Sequence, residues 1–211
     1  MKSTPKALTA NKGKITGSQQ RSQLRIKKIL ESAQHILINE GFHSLSLRKI
    51  AQHMGISNGN VTYYFPNKKV LLRALIEDML SRYDAEYEHE AATFPNDPLR
   101  RINAYFKYLI KDAQNADSRN FFYQLWGLST HDPIATELRE EVYRHFFNQL
   151  MTQLQVVRPE LNSRELKNKT FLLMSMIEGI NVILGSGENF VGQFVRVDTY
   201  LEKQIMMLVI N

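Results

Sequence analysis

The sequence predicts an all-α protein in which a small three-helix head precedes a larger helical-bundle body. Apolar residues recur three and four positions apart along most of the chain, which is the periodicity of helices with one buried face. Serine, asparagine or aspartate precedes many of these segments, as expected at helix starts. No segment alternates apolar and polar residues in the manner of a strand.

Charge is distributed unevenly along the chain. Residues 1–73 contain 13 lysines and arginines and two acids, whereas residues 74–211 contain 14 and 19. A basic N-terminal third indicates a polyanionic partner, either nucleic acid or a membrane surface. The absence of cysteine excludes disulfides and thiolate metal sites. No apolar run is long enough to span a membrane and no signal segment is evident, so we expect a cytoplasmic location.

The N-terminal end has two parts. Residues 1–19 are polar and contain four lysines, which predicts a disordered basic tail, either solvated without a role or an arm that touches phosphate. Residues 20–40 predict the first helix, which ends at Gly41. The first half of this helix contains four cations, which oppose the helix macrodipole and suggest phosphate as their partner.

Two short helices joined by a tight turn follow. Ser46 is placed to cap a helix over residues 47–54, and Gly55 suits the left-handed turn after it. Ser57 is placed to cap a second helix over residues 58–64, and Asn67 caps a long helix that begins at Lys68. This is a helix-turn-helix pattern, in which the second helix enters the major groove of DNA.

The spacing within this segment resembles the signature of TetR-family transcriptional regulators over roughly residues 24–75. The resemblance is carried by Ile50, Ala51, Gly55, Ser57, Gly59, Tyr63, Phe65, Lys68 and Leu71. It implies a DNA-binding head over residues 20–67 and an effector-binding and dimerisation body over residues 68–211. It also implies a repressor that a small molecule releases from its operator.

The first turn of the second helix is the part that meets base edges. Asn58 and Asn60 have amides that pair well with adenine, and Gly59 permits close backbone approach. The resemblance places base contacts here and phosphate contacts at Tyr63, Tyr64 and Lys68. For Tyr64, packing in the core is an equally good explanation. For the two asparagines, the alternative is that polar residues are simply common at the start of a helix. The predicted DNA-binding set is Ser46, Arg48, Ser57, Asn58, Gly59, Asn60, Thr62, Tyr63, Tyr64 and Lys68.

The body is predicted to contain six helices. They cover residues 68–90, 99–116, 118–130, 133–157 and 163–185, with a last one capped by Asp198. The eighth helix of the chain is apolar on nearly all of its faces over residues 171–184. Both of its sides must therefore be buried against other helices. We expect a homodimer through the eighth and ninth helices that reads a near-palindromic operator, although a central helix in a monomeric core would meet the same need.

The body also contains many aromatic and methionine side chains, which predict a binding site for a small molecule of unidentified chemistry. Glu178 and Asn181 are the polar exceptions on an apolar helix and need partners when buried. The predicted ligand-binding set is Met79, Tyr83, Tyr105, Phe122, Trp126, Met174 and Glu178.

Other kinds of chemistry lack a sequence pattern. The six histidines have no metal-binding spacing, and no glycine motif for a nucleotide cofactor occurs. The run Ser129-Thr130-His131-Asp132 has the residue types of a catalytic triad, but adjacent residues do not converge as triad members do. We therefore expect no enzyme, no metal and no cofactor. The alternatives are a helical protein on anionic membrane surfaces, or a DNA-binding activator or nucleoid protein of the same fold.

Overall fold

A computed structural model describes residues 17–185, 192–193 and 196–211, and these residues form nine helices and no strand, which confirms the predicted fold class. The helices are α1 (Gly17–Glu40), α2 (Leu47–His53), α3 (Asn58–Tyr64), α4 (Lys68–Thr93), α5 (Pro98–Gln114), α6 (Ala116–Ser129), α7 (Pro133–Val157), α8 (Ser163–Leu184) and α9 (Val197–Ile210).

Side-chain caps begin most of these helices where the sequence predicts them. Ser46 and Ser57 accept the backbone N–H groups of the third residue after each, and Asn67 does the same at the start of α4. Asn162 and Glu165 complete a reciprocal capping box at the start of α8.

Several predicted boundaries differ from the structure, including the ends of α4 and α5, which lie at Thr93 and Gln114. Helix α1 begins at Gly17, so residues 17–19 belong to it and not to the predicted tail, while residues 1–16 lie outside the described residues. Asn115 caps α6, which begins two residues earlier than predicted. Asp198 does not cap α9: it lies in the first turn, and Arg196 precedes the helix with a left-handed φ of 54° and no capping bond.

A first apolar core joins the head to the body. Its buried residues come from α1 to α4, including Ile36, Ile50 and Leu71, and also from α6 and α7, including Phe121 and Leu138. The boundary that the sequence suggests at residue 67 therefore does not separate two cores. Because packed interiors transmit displacement, the head and the adjoining part of the body are expected to move together.

A second apolar core lies within the body. It is built from α5, the end of α7, α8 and α9, with Phe106, Leu154, Leu173 and Ile205 fully buried. This core places one side of α8 against α5 and α7 and one side of α9 against α5 and α8. The remaining sides of α8 and α9 face outward.

Two cationic side chains bind the last backbone carbonyls of α9. The Arg158 guanidinium donates from Nη1 to the carbonyls of Val209 (3.1 Å) and Ile210 (2.6 Å), and Lys169 Nζ donates to the Leu208 carbonyl at 2.7 Å. The last carbonyls of a helix have no intrahelical partner and carry partial negative charge, so cations suit this position.

Replacing Arg158 by methionine is expected to lower the free energy of unfolding by about 1–3 kcal/mol, because charged hydrogen bonds to otherwise unpaired carbonyls are lost. Urea unfolding of both proteins, followed by circular dichroism, measures the difference. Arg164→Met, which removes an exposed arginine from α8, is the matched control and should change stability little. Equal effects of the two changes would contradict this role for Arg158.

Candidate nucleic-acid interface and effector cleft

The first turn of α3 is fully available to a partner. Ser57, Asn58, Gly59 and Asn60 are all exposed. Gly55, at a φ of 64°, supplies the left-handed residue that lets the chain reverse between α2 and α3. Val61 is fully buried and anchors α3 on its inner side, so the polar first turn is held at the surface by a fixed contact.

Local hydrogen bonds orient several predicted DNA-contacting side chains. The Asn60 amide Nδ2 donates to Ser57 Oγ at 3.1 Å, which leaves its oxygen free to accept. Thr62 Oγ1 donates back to the carbonyls of Asn58 and Gly59 at 3.1 and 3.2 Å, so its hydroxyl proton is already used. Within the described residues, the Asn58 side chain makes no such bond, which leaves both amide atoms available to a base edge.

The two tyrosines at the end of α3 differ in position. Tyr63 is 81% exposed, which suits a phosphate contact. Tyr64 is half-buried and packs against the first core, so core packing accounts for its apolar ring. On α2, Arg48 is exposed and Ser46 is exposed but engaged as the helix cap.

Lys68 is predicted to contact phosphate, but in this structure its ammonium group binds within the protein. Its Nζ donates to the Phe42 carbonyl at 2.9 Å and lies 3.4 Å from the centroid of the Phe42 ring. Burial lowers the pKa of Lys68, and the charge of Asp132 partly opposes this effect. The ammonium group therefore joins α4 to the segment between α1 and α2, and a phosphate would have to compete for it.

The next cations of α4 are paired with the body. Arg73 Nη1 donates to Glu141 at 2.6 Å, and Glu137 lies within ion-pair distance of both Arg73 and Lys69. These contacts connect the first turns of α4 to α7. Among the described residues of the head, Arg48 on α2 and Arg21, Arg25 and Lys28 at the start of α1 form no ion pair.

We expect Asn58→Ala to relax sequence preference at one base pair of each half-site by about 1–3 kcal/mol, because the available amide is the base-reading group. Tyr63→Phe should weaken binding to all sequences alike, because a phosphate contact carries no sequence information. Binding of each variant to a panel of duplexes with single base-pair changes measures both effects. An altered preference for Tyr63→Phe with none for Asn58→Ala would reverse these roles.

An aromatic cleft lies in the body between α4, α5, α6, α7 and α8. Its empty volume, counted together with the part open to solvent, is about 580 Å³. Tyr83 meets the rings of Phe146 and Tyr108 edge to face at 5.2 and 5.8 Å, and Tyr105 and Phe122 also line the space. The aromatic residues form much of the wall.

Two carboxyl groups line the same cleft in different states. Asp112 accepts from the Tyr83 hydroxyl at 2.5 Å and from Ser118 Oγ at 2.8 Å, so both its oxygens have partners. Glu178 has a buried Oε2 atom without a hydrogen-bond partner in the described structure. Burial raises the pKa of Glu178 to about 7. The cleft therefore contains one satisfied carboxylate and one that lacks a partner.

Only some of the predicted ligand-binding residues line this cleft. Tyr83, Tyr105, Phe122, Met174 and Glu178 line it. Met79 and Trp126 do not: Met79 is buried in the first core, and Trp126 packs against that core with its ring 6.1 Å from the Phe122 ring. Sequence reasoning missed Asp112 and Phe146, whose positions depend on how α5 and α7 pack and have no local signal.

Trp126 is nevertheless coupled to the cleft through Tyr143. Burial and the nearby Glu178 charge raise the pKa of Tyr143 to about 12, while a hydrogen bond with Trp126 opposes this shift. Tyr143 thus interacts with both Trp126 and Glu178.

Helix α6 connects the cleft to the head. Phe122 lines the cleft, and Gln124, two residues later, accepts the backbone N–H of Phe42 through Oε1 at 3.2 Å. Phe42 is the residue whose carbonyl Lys68 binds. The segment between α1 and α2 is therefore held by α6 on its N–H and by α4 on its carbonyl.

The end of α8 is also tied to α6. The Tyr123 hydroxyl donates to the Asn181 carbonyl at 2.8 Å. A Cβ atom on Gly185 would lie 1.8 Å from that hydroxyl, so glycine is needed for this close approach. Asn181 itself lines the cleft.

An apolar surface covers the outward sides of α8 and α9. Phe171 is 67% exposed and Tyr200 63% exposed, and Ser175 and Gly179 are small exposed residues four positions apart on α8. The other large exposed apolar residues of this surface are Leu172, Val182, Ile183, Met207 and Ile210. A surface of this kind marks an interaction site.

Across the described ranges there is no cluster of three or more potential metal ligands. The same ranges contain no helix with the length and hydropathy to cross a membrane.

The fold and the exposed first turn of α3 define a helix-turn-helix DNA-binding protein. Residues 29–75 match the family described as "Bacterial regulatory proteins, tetR family". The HTH-type transcriptional regulator BetI from Yersinia pestis is 26% identical over 187 residues, which are 86% of this chain and 93% of that protein.

Two solved structures share this fold. A transcriptional regulator from Pseudomonas aeruginosa superimposes with a TM-score of 0.71 at 16% identity, over 89% of each chain. A transcriptional regulator from Saccharomonospora viridis, solved in complex with choline, has a TM-score of 0.62 at 18% identity, over 89% of this chain and 96% of that one. The head of the chain is thus similar to that of TetR-family regulators, and the comparisons support a DNA-binding transcriptional regulator.

Proposed function

We propose that this protein is a homodimeric repressor that binds a near-palindromic operator through α3 and releases it when a small organic cation occupies the aromatic cleft. The match of residues 29–75 to a family of bacterial regulatory proteins supports the DNA partner over an anionic membrane surface. Because the chromosome is in the cytoplasm, we also infer that location.

The apolar surface of α8 and α9 supports the dimer. Two copies related by a two-fold axis would cover this surface and present two α3 helices to inverted half-sites about one helical turn apart or slightly more. Ser175 and Gly179 would allow the two α8 helices to approach closely at the centre of the interface.

The unpartnered Oε2 of Glu178 is the observation on which the effector class depends. A buried carboxyl oxygen without a partner is costly, and a cation or a hydrogen-bond donor would supply one. The rings of Tyr83, Tyr105 and Phe146 line the same cleft, and the electron-rich faces of such rings bind organic ammonium ions. The choline bound to the Saccharomonospora viridis regulator is a ligand of this chemistry on the same fold.

The experiment has two stages. First, the intact protein selects its operator from a random duplex library. Choline is then titrated into the protein–operator complex, and operator release and Trp126 fluorescence are recorded together. The control ligand is the neutral carbon isostere of choline, in which a tert-butyl group replaces the trimethylammonium group. Choline is expected to release DNA and change the fluorescence, whereas the isostere is expected to do neither. Equal effects of the two ligands would contradict a cation site.

A further inference from the structure

The first turns of α1 form a helical extension without a buried residue. Residues 17–28, named here the α1 arm, contain no buried side chain, and the first buried residue of α1 is Ile29. The match to the TetR family also begins at residue 29. Ile26 of the arm rests against the first core, but packing within the chain does not explain the four cations of the arm.

The charge of the α1 arm is entirely positive. It contains four cations and no acid, and its first turn lacks the acidic residue that would suit the helix macrodipole. Arg21, Arg25 and Lys28 are spaced four and three apart, so they share one face. In the part of the chain that the structure describes, none of these three forms an ion pair, whereas Lys27 lies 3.9 Å from Glu31.

The contacts between α1 and α2 fix where the arm lies. Lys49, early in α2, pairs with Glu40 at 3.0 Å, and His53, at the end of α2, lies 2.8 Å from Ser32 Oγ. The two helices are therefore antiparallel, and the arm extends past the turn from which α3 begins. At 1.5 Å per residue, Gly17 lies about 20 Å beyond Ser32 along the α1 axis.

We propose that the α1 arm is a second phosphate-binding surface, which contacts the duplex backbone outside the half-site read by α3. This inference rests on DNA binding by the head. An unpaired basic face next to the reading helix complements the phosphate backbone, and phosphate would supply the negative charge that the helix start lacks. The arm extends the length of DNA that each protomer covers and adds affinity without sequence preference.

The test compares two triple variants that each lose three positive charges. The first is Arg21→Gln, Arg25→Gln and Lys28→Gln in the arm. The second, the control, is Lys111→Gln, Arg164→Gln and Lys203→Gln, which removes exposed cations of the body. Both are measured on a duplex that carries the selected operator with about 10 base pairs of flank on each side, and on a duplex cut at the last selected base pair.

On the long duplex, the arm variant is expected to flatten the slope of log K against log salt by about 2.7 per protomer, while the control keeps the slope of the intact protein. On the short duplex, the arm variant and the intact protein should differ much less. The base preference should be unchanged on both. Arg21→Lys with Arg25→Lys should retain the original slope, because charge and not the guanidinium shape is required.

Equal slopes for the arm and control variants, with operator binding intact, would overturn the arm proposal alone. Loss of binding to phosphatidylserine vesicles with an unchanged DNA slope would also overturn it, in favour of a lipid surface. Failure of the intact protein to enrich any duplex would refute the proposed function itself, so the two failures are distinguishable.

Discussion

Leu172→Glu is expected to convert the protein to a monomer and to weaken operator binding by about 10²–10⁴-fold. A glutamate at this position would place one charge from each copy within the apolar surface of α8 and α9, where it would be desolvated on pairing. Each monomer would then bind one half-site alone, and the gain from linking two binding events would be lost.

Sedimentation velocity at micromolar concentration measures the first effect, and titration of the selected operator measures the second. Leu99→Glu is the matched control, because Leu99 is an exposed leucine of α5 that lies outside this surface. A dimeric Leu172→Glu protein with normal operator affinity would show that the two copies pair elsewhere.

Glu178→Gln is expected to stabilise the free protein at pH 8 by about 2 kcal/mol and to have little effect at pH 4. Burial raises the pKa of Glu178 from 4.5 to about 7. The stability associated with the protonated carboxyl is fully present below pH 4.5 and is lost as the pH rises through about 7. Each pKa unit corresponds to about 1.4 kcal/mol, and we discount the total because the group is only partly buried.

The expected increase in melting temperature at pH 8 is about 4–8 °C for a chain of this size. Melting curves at several pH values measure it, with Glu88→Gln as the control for loss of an exposed carboxylate. The same variant should lose its response to choline, because the partner of the cation is gone. A parallel pH dependence for the intact protein and Glu178→Gln would show that Glu178 does not titrate in this range.

The head was predictable from sequence because its signals are local. Ser46, Ser57 and Asn67 each cap the helix that follows them, and Gly55 sits in the turn, so spacing alone defines α2, α3 and the start of α4. The first-turn residues of α3 follow from that geometry.

The cleft was predictable only in part because its wall comes from distant segments. Tyr83 and Tyr105 stand out in the sequence as large side chains, but Asp112 is recognisable only once it meets the Tyr83 hydroxyl. Met79 and Trp126 have the same apolar character as the lining residues and yet pack into the first core. The resemblance assigns Lys68 to phosphate, whereas its bond to Phe42, which lies 26 positions earlier in the chain, has no local sequence signal.

If occupation of the cleft breaks the two bonds to Phe42, the strengths of these bonds give the size of the response in operator affinity. The bond from Phe42 N–H to Gln124 is a single neutral hydrogen bond, worth about 1 kcal/mol, and its loss corresponds to about a fivefold change in operator affinity. The charged bond from Lys68 is worth roughly twice as much. Loss of both bonds would bring the ratio to about 100-fold. By linkage, operator DNA must lower the affinity for effector by the same factor, so the DNA-bound protein needs a higher effector concentration than the free protein.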